Sequence, residues 1–430
     1  MTTVIAFIIV LGFLVFVHEL GHFGAAKMVG VEVKEFSIGF PPKITSKVFR
    51  GTEYIISWIP LGGYVRLKGQ NIDDENPDEE DNYAAKSFSQ RFFILIAGAI
   101  MNLLVALILA PLVLYIGQDV PVFYFDPPII NSVAADSNAR LAGFKGQDRI
   151  VAVNGQAVNN WQETYKALGA IQSKSIQLII LREEQRITIS FGKELLGGKG
   201  GFGWSIHIKP VIGSVVSGSP ADKAGLRSDD YIVQINQFKI TDWTEITSAI
   251  SKSNGQEVVI EYIRDGQKQS AALIPYRNSQ DNRWIIGVGS KTVKVSEGFT
   301  DSIVNGVGWV GQLTKSILGF LYKLITGGTS SKSIGGPIMI AQMVGQAAER
   351  GISELLQLVG FISLQLCVFN LLPIPALDGG HIFFLIIEKI KGSTLSKGFR
   401  LGAQKIGFII LMALITLVLI QDGFRVFTNI

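Results

Sequence analysis

The sequence contains long apolar intervals in which no Asp, Glu, Lys or Arg occurs. The charge-free intervals are the residues before Glu19, those between Arg91 and Asp119, those between Glu354 and Asp378, and those between Lys405 and Asp422. A helix that crosses the hydrocarbon core of a bilayer needs about 20 mostly apolar residues. The pattern therefore predicts four transmembrane helices, and the last begins near Leu401 with the Lys405 side chain extended toward the headgroups.

The first apolar interval differs from a secretory signal peptide, although it stands at the start of the sequence. No basic residue precedes it, and it ends in charged residues where a signal peptide would have small residues for cleavage. We therefore expect it to stay in the protein as a transmembrane helix.

Basic residues are concentrated in two of the predicted loops, with nine Lys and Arg in residues 27–91 and four in residues 381–400. Cytoplasmic loops of membrane proteins carry the excess of Lys and Arg. Both loops are therefore expected in the cytoplasm. This orientation places both termini and residues 119–350 on the far side of the membrane.

The far-side segment contains an internal repeat with an offset of 82 residues. Residues 131–154 align with residues 213–236, and Trp161 and Trp243 keep the same offset. Each copy predicts a strand, a short helix ending at a glycine, a tight turn and an alternating strand closed by an Asn-containing turn. The pattern resembles tandem PDZ domains, which bind an extended peptide at a sheet edge. Two roles stay open: binding of a peptide C-terminus, with residues 201–204 as the carboxylate-binding loop, or size exclusion and spacing with an empty groove.

Residues 303–326 alternate apolar runs with Lys315 and Lys323. This pattern predicts a helix after the repeats. The helix either lies at the membrane surface or packs as a linker against the transmembrane helices.

The first predicted helix carries the motif His18-Glu19-Leu20-Gly21-His22. Histidines four residues apart lie on one face of a helix, so both imidazoles can reach one metal ion while the glutamate lies beside the bound water. HExxH also occurs by chance in soluble helices, but ionisable residues inside a membrane span are costly and usually functional. The motif therefore predicts a zinc site.

A hydrolytic zinc site has three protein ligands and one open position. Glu32 and Glu35 follow the motif, but nothing in the sequence favours either of them. Asp378, at the end of the third predicted helix, returns to the same side of the membrane as HExxH and is the better candidate. Its alternative role is to cap a helix end, and His381 is the rival ligand.

Asp378 belongs to the segment Asn-Leu-Leu-Pro-Ile-Pro-Ala-Leu-Asp that begins at Asn370. Pro373 and Pro375 interrupt the helix, and free backbone groups at this depth are tolerated only around a cavity or within protein. Such an opening would admit the water that the metal needs. Asn370 either hydrogen-bonds the substrate backbone or packs between helices.

Zinc would lower the pKa of its bound water toward about 7 and polarise the scissile carbonyl. Glu19 would accept the proton of this water and pass it to the leaving amine. The sequence therefore predicts a peptide hydrolase.

Composition agrees with a membrane protein. Only 17% of the 430 residues are charged, whereas soluble globular proteins carry about 25%. This deficit excludes an ordinary soluble enzyme, a disordered regulator and a fibrous protein. The net charge of +4 is small and evenly spread, so nucleic acid is not expected as a partner. Cys367 is the only cysteine, so an internal disulfide cannot form.

These motifs together resemble the bacterial site-2-type intramembrane metalloproteases over essentially the whole chain. Shared features also include Ala97-Gly98 with Asn102 in the second helix, and Gly335-Gly336-Pro337 before the third. The resemblance implies an enzyme of the bacterial inner membrane, with the repeats and both termini in the periplasm and the active site near the cytoplasmic face. It also implies cleavage of a membrane-spanning anti-sigma factor already cut by another protease, with the PDZ pair as a filter against uncut substrates.

The same resemblance implies His18, His22 and Asp378 as zinc ligands and Glu19 as the catalytic acid and base. It also implies a membrane-associated β-hairpin in the first cytoplasmic loop, for which residues 53–67 are suited. The substrate-binding candidates in the hairpin are Gly62, Gly63 and Tyr64. Those at the end of the third helix are Asn370, Pro373 and Pro375.

In this hairpin, Gly62 and Gly63 are expected near a turn. A helical substrate must be extended before cleavage, and pairing with an edge strand would hold it open. The alternative is a plain amphipathic hairpin on the lipid surface.

The expected fold is thus a multi-pass α-helical membrane protein with four transmembrane helices, tandem β-rich PDZ domains and a membrane-associated β-hairpin. The expected segments are helix 1 at 1–26, a cytoplasmic loop at 27–91, helix 2 at 92–118, PDZ domains at 119–200 and 201–290, a linker with a membrane-surface helix at 291–352, helix 3 at 353–380, a cytoplasmic loop at 381–400 and helix 4 at 401–421.

Two functions of another class compete with the protease. One is a membrane-anchored PDZ scaffold with a decayed metal site, but the motif residues are intact. The other is a metal transporter that uses HExxH for transit, which the large extramembrane repeats and the single proton-accepting glutamate, Glu19, do not favour.

Overall fold

The computed structural model describes residues 2–70, 79–197, 202–278, 283–328 and 335–427. Its residues form two compact units. The helical unit comprises Met1–Gln118 with Val295–Thr428, and the repeat unit comprises Asp119–Lys294.

Helices dominate the helical unit and short strands dominate the repeat unit. The α-helices are α1 (Thr2–Met28), α2 (Phe88–Ile116), α3 (Asn138–Leu141), α4 (Trp161–Ala170), α5 (Pro220–Lys223), α6 (Trp243–Lys252), α7 (Phe299–Ile325), α8 (Pro337–Arg350), α9 (Ile352–Asn370), α10 (Asp378–Lys391) and α11 (Lys397–Phe427). The strands are β1 (Val33–Phe49), β2 (Thr52–Leu67), β3 (Gln118–Pro121), β4 (Ile130–Val133), β5 (Arg149–Val153), β6 (Gln156–Ala157), β7 (Ser175–Arg182), β8 (Gln185–Gly192), β9 (Trp204–Ile206), β10 (Ile212–Val215), β11 (Tyr231–Ile235), β12 (Phe238–Lys239), β13 (Val258–Arg264), β14 (Gln267–Leu273), β15 (Tyr276–Arg277), β16 (Trp284–Ile285), β17 (Val288–Ser290) and β18 (Thr292–Val295).

Four helices among the described residues are long and apolar enough to cross a membrane, which confirms the predicted number. They are Thr3–Met28, Phe88–Ile116, Ile352–Asn370 and Gly398–Gly423. Their ends differ from the prediction where local capping decides the boundary. For example, α2 starts before the predicted residue 92 because Ser87 and Gln90 form a capping box that satisfies its first amides.

The helix α1 approaches α2 closely through a glycine. A Cβ on Gly21 would lie 2.5 Å from the carbonyl oxygen of Ala97. Only glycine permits such a close approach of another backbone. This contact holds the HExxH turn of α1 directly against α2.

The helix α7 packs against two of the candidate transmembrane helices. It buries Val310 and Ile317 against Ala106 and Ala110 of α2 and Leu364 of α9. Residues 303–325 of the predicted segment 303–326 are therefore helical with a packed face, which was one of the two expected roles. Contact of its other face with lipid stays a prediction.

A second helix, α8, lies in the segment where the sequence indicated only a linker. Pro337 occupies its first turn. The buried carboxylate of Asp422 accepts hydrogen bonds from the backbone N–H groups of Gly336 at 3.2 Å and Ile338 at 3.1 Å. A carboxylate at a helix N-terminus satisfies free amides and offsets the helix dipole. This cap comes from a residue more than 80 positions away, so no local sequence signal announced it.

The third span ends earlier than the sequence indicated. Helix α9 stops at Asn370, and Asp378 is the first residue of α10, which occupies much of the loop expected at 381–400. Pro373 and Pro375 cannot continue α9 because they lack an amide N–H. The turn is so tight that a side chain on Gly379 would collide with the backbone at Leu371 and Leu372.

The strands β1 and β2 form a sheet that is wider than the predicted hairpin over 53–67. The first part of β1, residues 33–38, pairs with residues 63–67 and also with residues 53–56 of β2. The remaining part, 43–49, pairs with 52–57. Gly62 and Gly63 lie where β2 passes from one side of segment 33–38 to the other.

The repeat unit contains two copies of one arrangement. Each copy has a four-stranded sheet, β6-β5-β7-β8 in the first and β12-β11-β13-β14 in the second, and a separate strand pair, β4 with β9 and β10 with β17. Buried ion pairs keep the 82-residue offset. Arg182 Nε donates to Asp148 at 2.7 Å, and Arg264 Nε donates to Asp230 at 2.7 Å.

The boundary between the copies lies beyond the expected residue 200. Strand β9 pairs with β4 of the first copy, so this copy extends at least to Ile206. Phe202 and Gly203 precede β9. Their carbonyl oxygens accept hydrogen bonds from the backbone N–H groups of Ala139 and Ala134, respectively. Gly201 lies outside the described residues. Peptide binding by these copies stays a prediction.

Candidate metal centre

Two histidines lie one turn apart on α1, on the side that faces α2. His18 and His22 project from the same face because they are four residues apart. Their Nε2 atoms are 3.2 Å apart, and the rings meet edge to face with centroids 4.8 Å apart. The geometry leaves both Nε2 atoms directed at a common point.

Asp378 completes a group of three donor atoms. Its Oδ2 lies 3.1 Å from His18 Nε2 and 3.4 Å from His22 Nε2. The side chains of His18, His22 and Asp378 are 11%, 13% and 20% exposed. The structure thus brings together the three residues that the sequence suggested from opposite ends of the chain.

The three donor atoms fit a tetrahedral zinc ion. Bonds of about 2.0–2.2 Å to nitrogen and oxygen place neighbouring ligand atoms about 3.3 Å apart in a tetrahedron. The observed separations of 3.1, 3.2 and 3.4 Å agree with this value. Apart from the two histidines, the buried Oδ2 of Asp378 has no hydrogen-bond partner among the described residues. Its charge is therefore directed at the position that a cation would take.

His381, the rival of Asp378, lies outside the donor group, and the two glutamates that follow the motif are engaged elsewhere. Glu32 pairs with Lys68 at 3.2 Å. Glu35 accepts hydrogen bonds from Tyr64 and Arg66, both at 2.9 Å. Within the described chain, the donor group at this site consists of two histidines and one aspartate.

Helix α2 leaves space for the histidine rings through a second glycine. A Cβ on Gly98 would lie 2.6 Å from His18 Cε1 and 2.8 Å from His18 Nε2. Both distances are shorter than a van der Waals contact. Any side chain at position 98 would therefore displace a donor ring.

A backbone group and a side-chain group of α2 contact the outer nitrogens of the rings. His22 Nδ1 is 2.8 Å from the carbonyl oxygen of Ile94. Asn102 Nδ2 lies 3.3 Å from His18 Nδ1. The contribution of Ile94 was missed by the sequence reasoning, and a backbone carbonyl gives no residue-type signal that could have revealed it.

The sheet passes next to the glutamate of the motif. A Cβ on Gly63 would lie 3.3 Å from Glu19 Cγ and 2.7 Å from the carbonyl oxygen of Ser37. Glycine inside a strand often marks such a close approach. Segment 63–67 is therefore the part of the sheet that lies beside Glu19.

The other predicted substrate contacts are distributed around this centre. Asn370 Nδ2 lies 3.5 Å from both ring nitrogens of His18. Pro373 is exposed, and Pro375 packs against Gly407 of α11. The hydroxyl of Tyr64 donates within the sheet to Glu35, and burial together with this carboxylate raises the pKa of Tyr64.

Comparison with known proteins agrees with this arrangement. Residues 6–414 match peptidase family M50. The chain belongs to peptidase family M50. Members of this family are zinc-dependent, and the chain is accordingly a zinc-dependent metalloprotease.

Curated relatives extend over nearly the whole M50 chain. It is 32% identical to a regulator of sigma E protease of Haemophilus influenzae and 32% identical to the regulator of sigma-E protease RseP of Escherichia coli. It is 34% identical to a putative zinc metalloprotease of Pasteurella multocida. Each match covers 98% of this chain and 98% of the relative.

Proposed function

We propose that this M50 protease hydrolyses a peptide bond in the transmembrane segment of a single-pass membrane protein. His18, His22 and Asp378 would hold the zinc ion, and Glu19 would act as general base and acid. The observation that carries the proposal is the set of three donor separations of 3.1 to 3.4 Å. Two of these donors lie inside a candidate transmembrane helix, where a soluble peptide would not normally reach.

Zinc, when bound, supplies a Lewis acid that activates water and polarises the scissile carbonyl. Glu19 accepts one proton from the attacking water as its oxygen forms a bond to the carbonyl carbon. It then delivers this proton to the amide nitrogen as the carbon–nitrogen bond breaks. The products are a carboxylic acid and an amine. Glu19 returns to its ionised state.

The sheet supports an extended substrate at this centre. Segment 63–67 pairs with segment 33–38 on one side only, within the residues that the structure describes. Its other edge can therefore accept a further strand. Because Gly63 lies against Glu19, a peptide added at this edge would pass close to the catalytic carboxylate. The backbone of Gly62, Gly63 and Tyr64 would form these contacts.

The residues of the α9 to α10 turn complete the proposed substrate path. Asn370 faces His18 and can hydrogen-bond the substrate backbone next to the metal. Pro373 and Pro375 keep this turn out of a regular helix. The space that they open would admit water and the extended peptide.

The names of two relatives refer to regulation of sigma E, which supports an anti-sigma factor as the proposed substrate class. That another protease cuts this substrate first is proposed from the family resemblance alone. The relatives support a location in the bacterial inner membrane, and the distribution of Lys and Arg supports an orientation with the repeat unit and both termini in the periplasm. The metal centre then lies near the cytoplasmic face. The PDZ-like copies would bind a new peptide C-terminus or exclude uncut substrates.

The decisive experiment replaces Glu19 by Gln and measures zinc content and cleavage of a model transmembrane peptide. We expect zinc to remain bound and cleavage to stop, because the amide cannot accept the proton. Glu349→Gln, at an exposed position of α8, is the matched control and should cleave normally. A scaffold would be indifferent to both changes, and a transporter would keep metal flux in the Glu19 variant; either result contradicts the proposal.

Orientation can be tested with the single cysteine removed. In a Cys367→Ala background, Ser217→Cys places an exposed thiol in the repeat unit and Ser393→Cys places one after α10. A membrane-impermeant maleimide added to intact spheroplasts should label position 217 and spare position 393. The reverse labelling would overturn the proposed orientation.

A further inference from the structure

The side chain of Asn102 contacts His18 on the outer side of the ring. Asn102 is fully buried in α2, and its Nδ2 lies 3.3 Å from His18 Nδ1. The other ring nitrogen, Nε2, faces His22 and Asp378. The amide of Asn102 therefore meets the nitrogen of His18 that does not point at the metal position.

A neutral histidine that binds zinc through Nε2 carries its proton on Nδ1 and must donate it. With Nδ2 of Asn102 toward the ring, two N–H donors would oppose each other. The oxygen and nitrogen of an amide have nearly the same shape, so hydrogen bonding decides their assignment. The Oδ1 of Asn102 has no partner among the described residues, so no bond from this oxygen opposes rotation of the amide.

We propose that Asn102 is a positioning residue that accepts the Nδ1 proton of His18 through Oδ1. In this role it holds the ring in the tautomer that can bind zinc through Nε2. The inference rests on the proposed zinc site. It assigns to α2 a part in zinc affinity that is separate from the three ligands.

The two histidines differ in how their outer nitrogens are held. His22 donates to the backbone carbonyl of Ile94 at 2.8 Å, and a backbone acceptor is present whatever the side chain at position 94. His18 depends on a side chain. Asn370 cannot replace it, because its Nδ2 is equally distant, 3.5 Å, from both ring nitrogens of His18 and so lies over the ring face.

The backbone around Asn102 is itself fixed. The hydroxyl of Ser363 in α9 donates to the carbonyl oxygen of Asn102 at 2.8 Å. This bond holds Asn102 between α1 and α9 through its backbone carbonyl and leaves its side-chain amide free of this contact. Ser363→Ala therefore changes the surroundings of Asn102 and leaves the proposed acceptor intact.

The test compares Asn102→Leu with Asn102→Asp in the full-length protein, using competition with a chelator to measure zinc affinity. Leu has a similar size and no acceptor, so we expect affinity to fall about 10- to 100-fold. Asp keeps an acceptor and should stay within about threefold of wild type or bind more tightly. Ser363→Ala should match wild type. If Asn102 matters only for packing, the order reverses, because a buried carboxylate is costlier than leucine.

A measurement on the unaltered protein keeps the inference testable if the Leu variant fails to fold. Nitrogen-15 spectra of histidine-labelled, zinc-loaded protein should show a proton on Nδ1 of His18, with the signal assigned by its nuclear Overhauser contact with the side chain of Asn102, which lies next to this nitrogen. A proton on Nε2 would overturn the inference. Equal zinc affinity of Asn102→Leu and wild type would overturn it alone, whereas a wild-type protein without zinc affinity would overturn the proposed function as well.

Discussion

Replacing Gly98 by Ala should remove zinc binding while leaving the helices in place. The new methyl group would lie 2.6 Å from His18 Cε1 and 2.8 Å from Nε2. Nonbonded carbon atoms normally stay about 3.5–4.0 Å apart. The methyl group would also overlap His22 Nε2, so both donor rings, or the α2 backbone, must move by about 0.9 Å to relieve the overlap.

This displacement is large on the scale of metal coordination. Zinc–ligand distances hold within about 0.2 Å of their ideal values, so a ring displaced by about 0.9 Å no longer bonds to the ion. A misplacement near 1 Å costs about 100-fold in rate even when chemistry survives. Overpacking of this kind costs about 1–3 kcal/mol of unfolding free energy, which a helical unit of this size can absorb.

The measurements are zinc content by mass spectrometry, cleavage of a transmembrane peptide, and thermal unfolding in detergent. Gly24→Ala is the matched control, because Gly24 lies in the zinc-site helix α1 and a Cβ on it meets nothing within 4 Å. It should keep zinc and cleavage and gain about 0.5–1 kcal/mol from helix propensity. If Gly98→Ala binds zinc as well as Gly24→Ala, the steric reasoning about the donor rings is refuted.

Three further predictions concern other contacts. Gly21→Ala should lower thermal stability more than Gly98→Ala, because its methyl group would meet backbone rather than a ring that can rotate; equal melting temperatures would contradict this. Arg264→Met should lower the free energy of unfolding in urea by about 3 kcal/mol, because it removes the partner of the buried carboxylate of Asp230. The control Lys268→Met, at a more exposed pair, should lower it by at most about 1 kcal/mol. Zinc at 100 times its dissociation constant should stabilise the wild type by about 2.7 kcal/mol over the chelated protein. Asp378→Ala should abolish this difference, and a persisting shift would argue against Asp378 as a ligand.

Local patterns in the sequence were sufficient to predict much of the fold. The charge-free intervals indicated four spans because burial of charge in lipid is so costly that the signal needs no tertiary context. HExxH was also readable without tertiary context, because the helical period alone places His18 and His22 on one face. The repeat was readable because Asp148 and Asp230 serve the same buried ion pair in each copy.

Features that depend on three-dimensional contacts outside a single regular helix or strand were not readable. The start of α10 at Asp378 follows from the packing of Gly379 against the preceding turn. The cap of α8 comes from Asp422 on another helix. The sheet is wider than expected because segment 33–38 pairs on both sides. None of these contacts leaves a periodic pattern within a single window of sequence.

The candidate site divides in the same way. Asp378 could be proposed from topology, because the two crossings that follow HExxH return the chain to the same side of the membrane. The surroundings of the ligands could not, since Gly98 and Ile94 act through space and backbone rather than through reactive groups. The roles of Gly98 and the Ile94 carbonyl follow only from the packing of α1 against α2.

The separation of the donors along the chain has a consequence for biosynthesis. His22 and Asp378 are more than 350 residues apart, and the third donor enters on a helix that follows the third span. A nascent chain that has not yet emerged from the ribosome to this point has only a pair of imidazoles. With Asp378 as the proposed third ligand, proteolytic competence would arise late in translation and membrane insertion, after both copies of the repeat have been made.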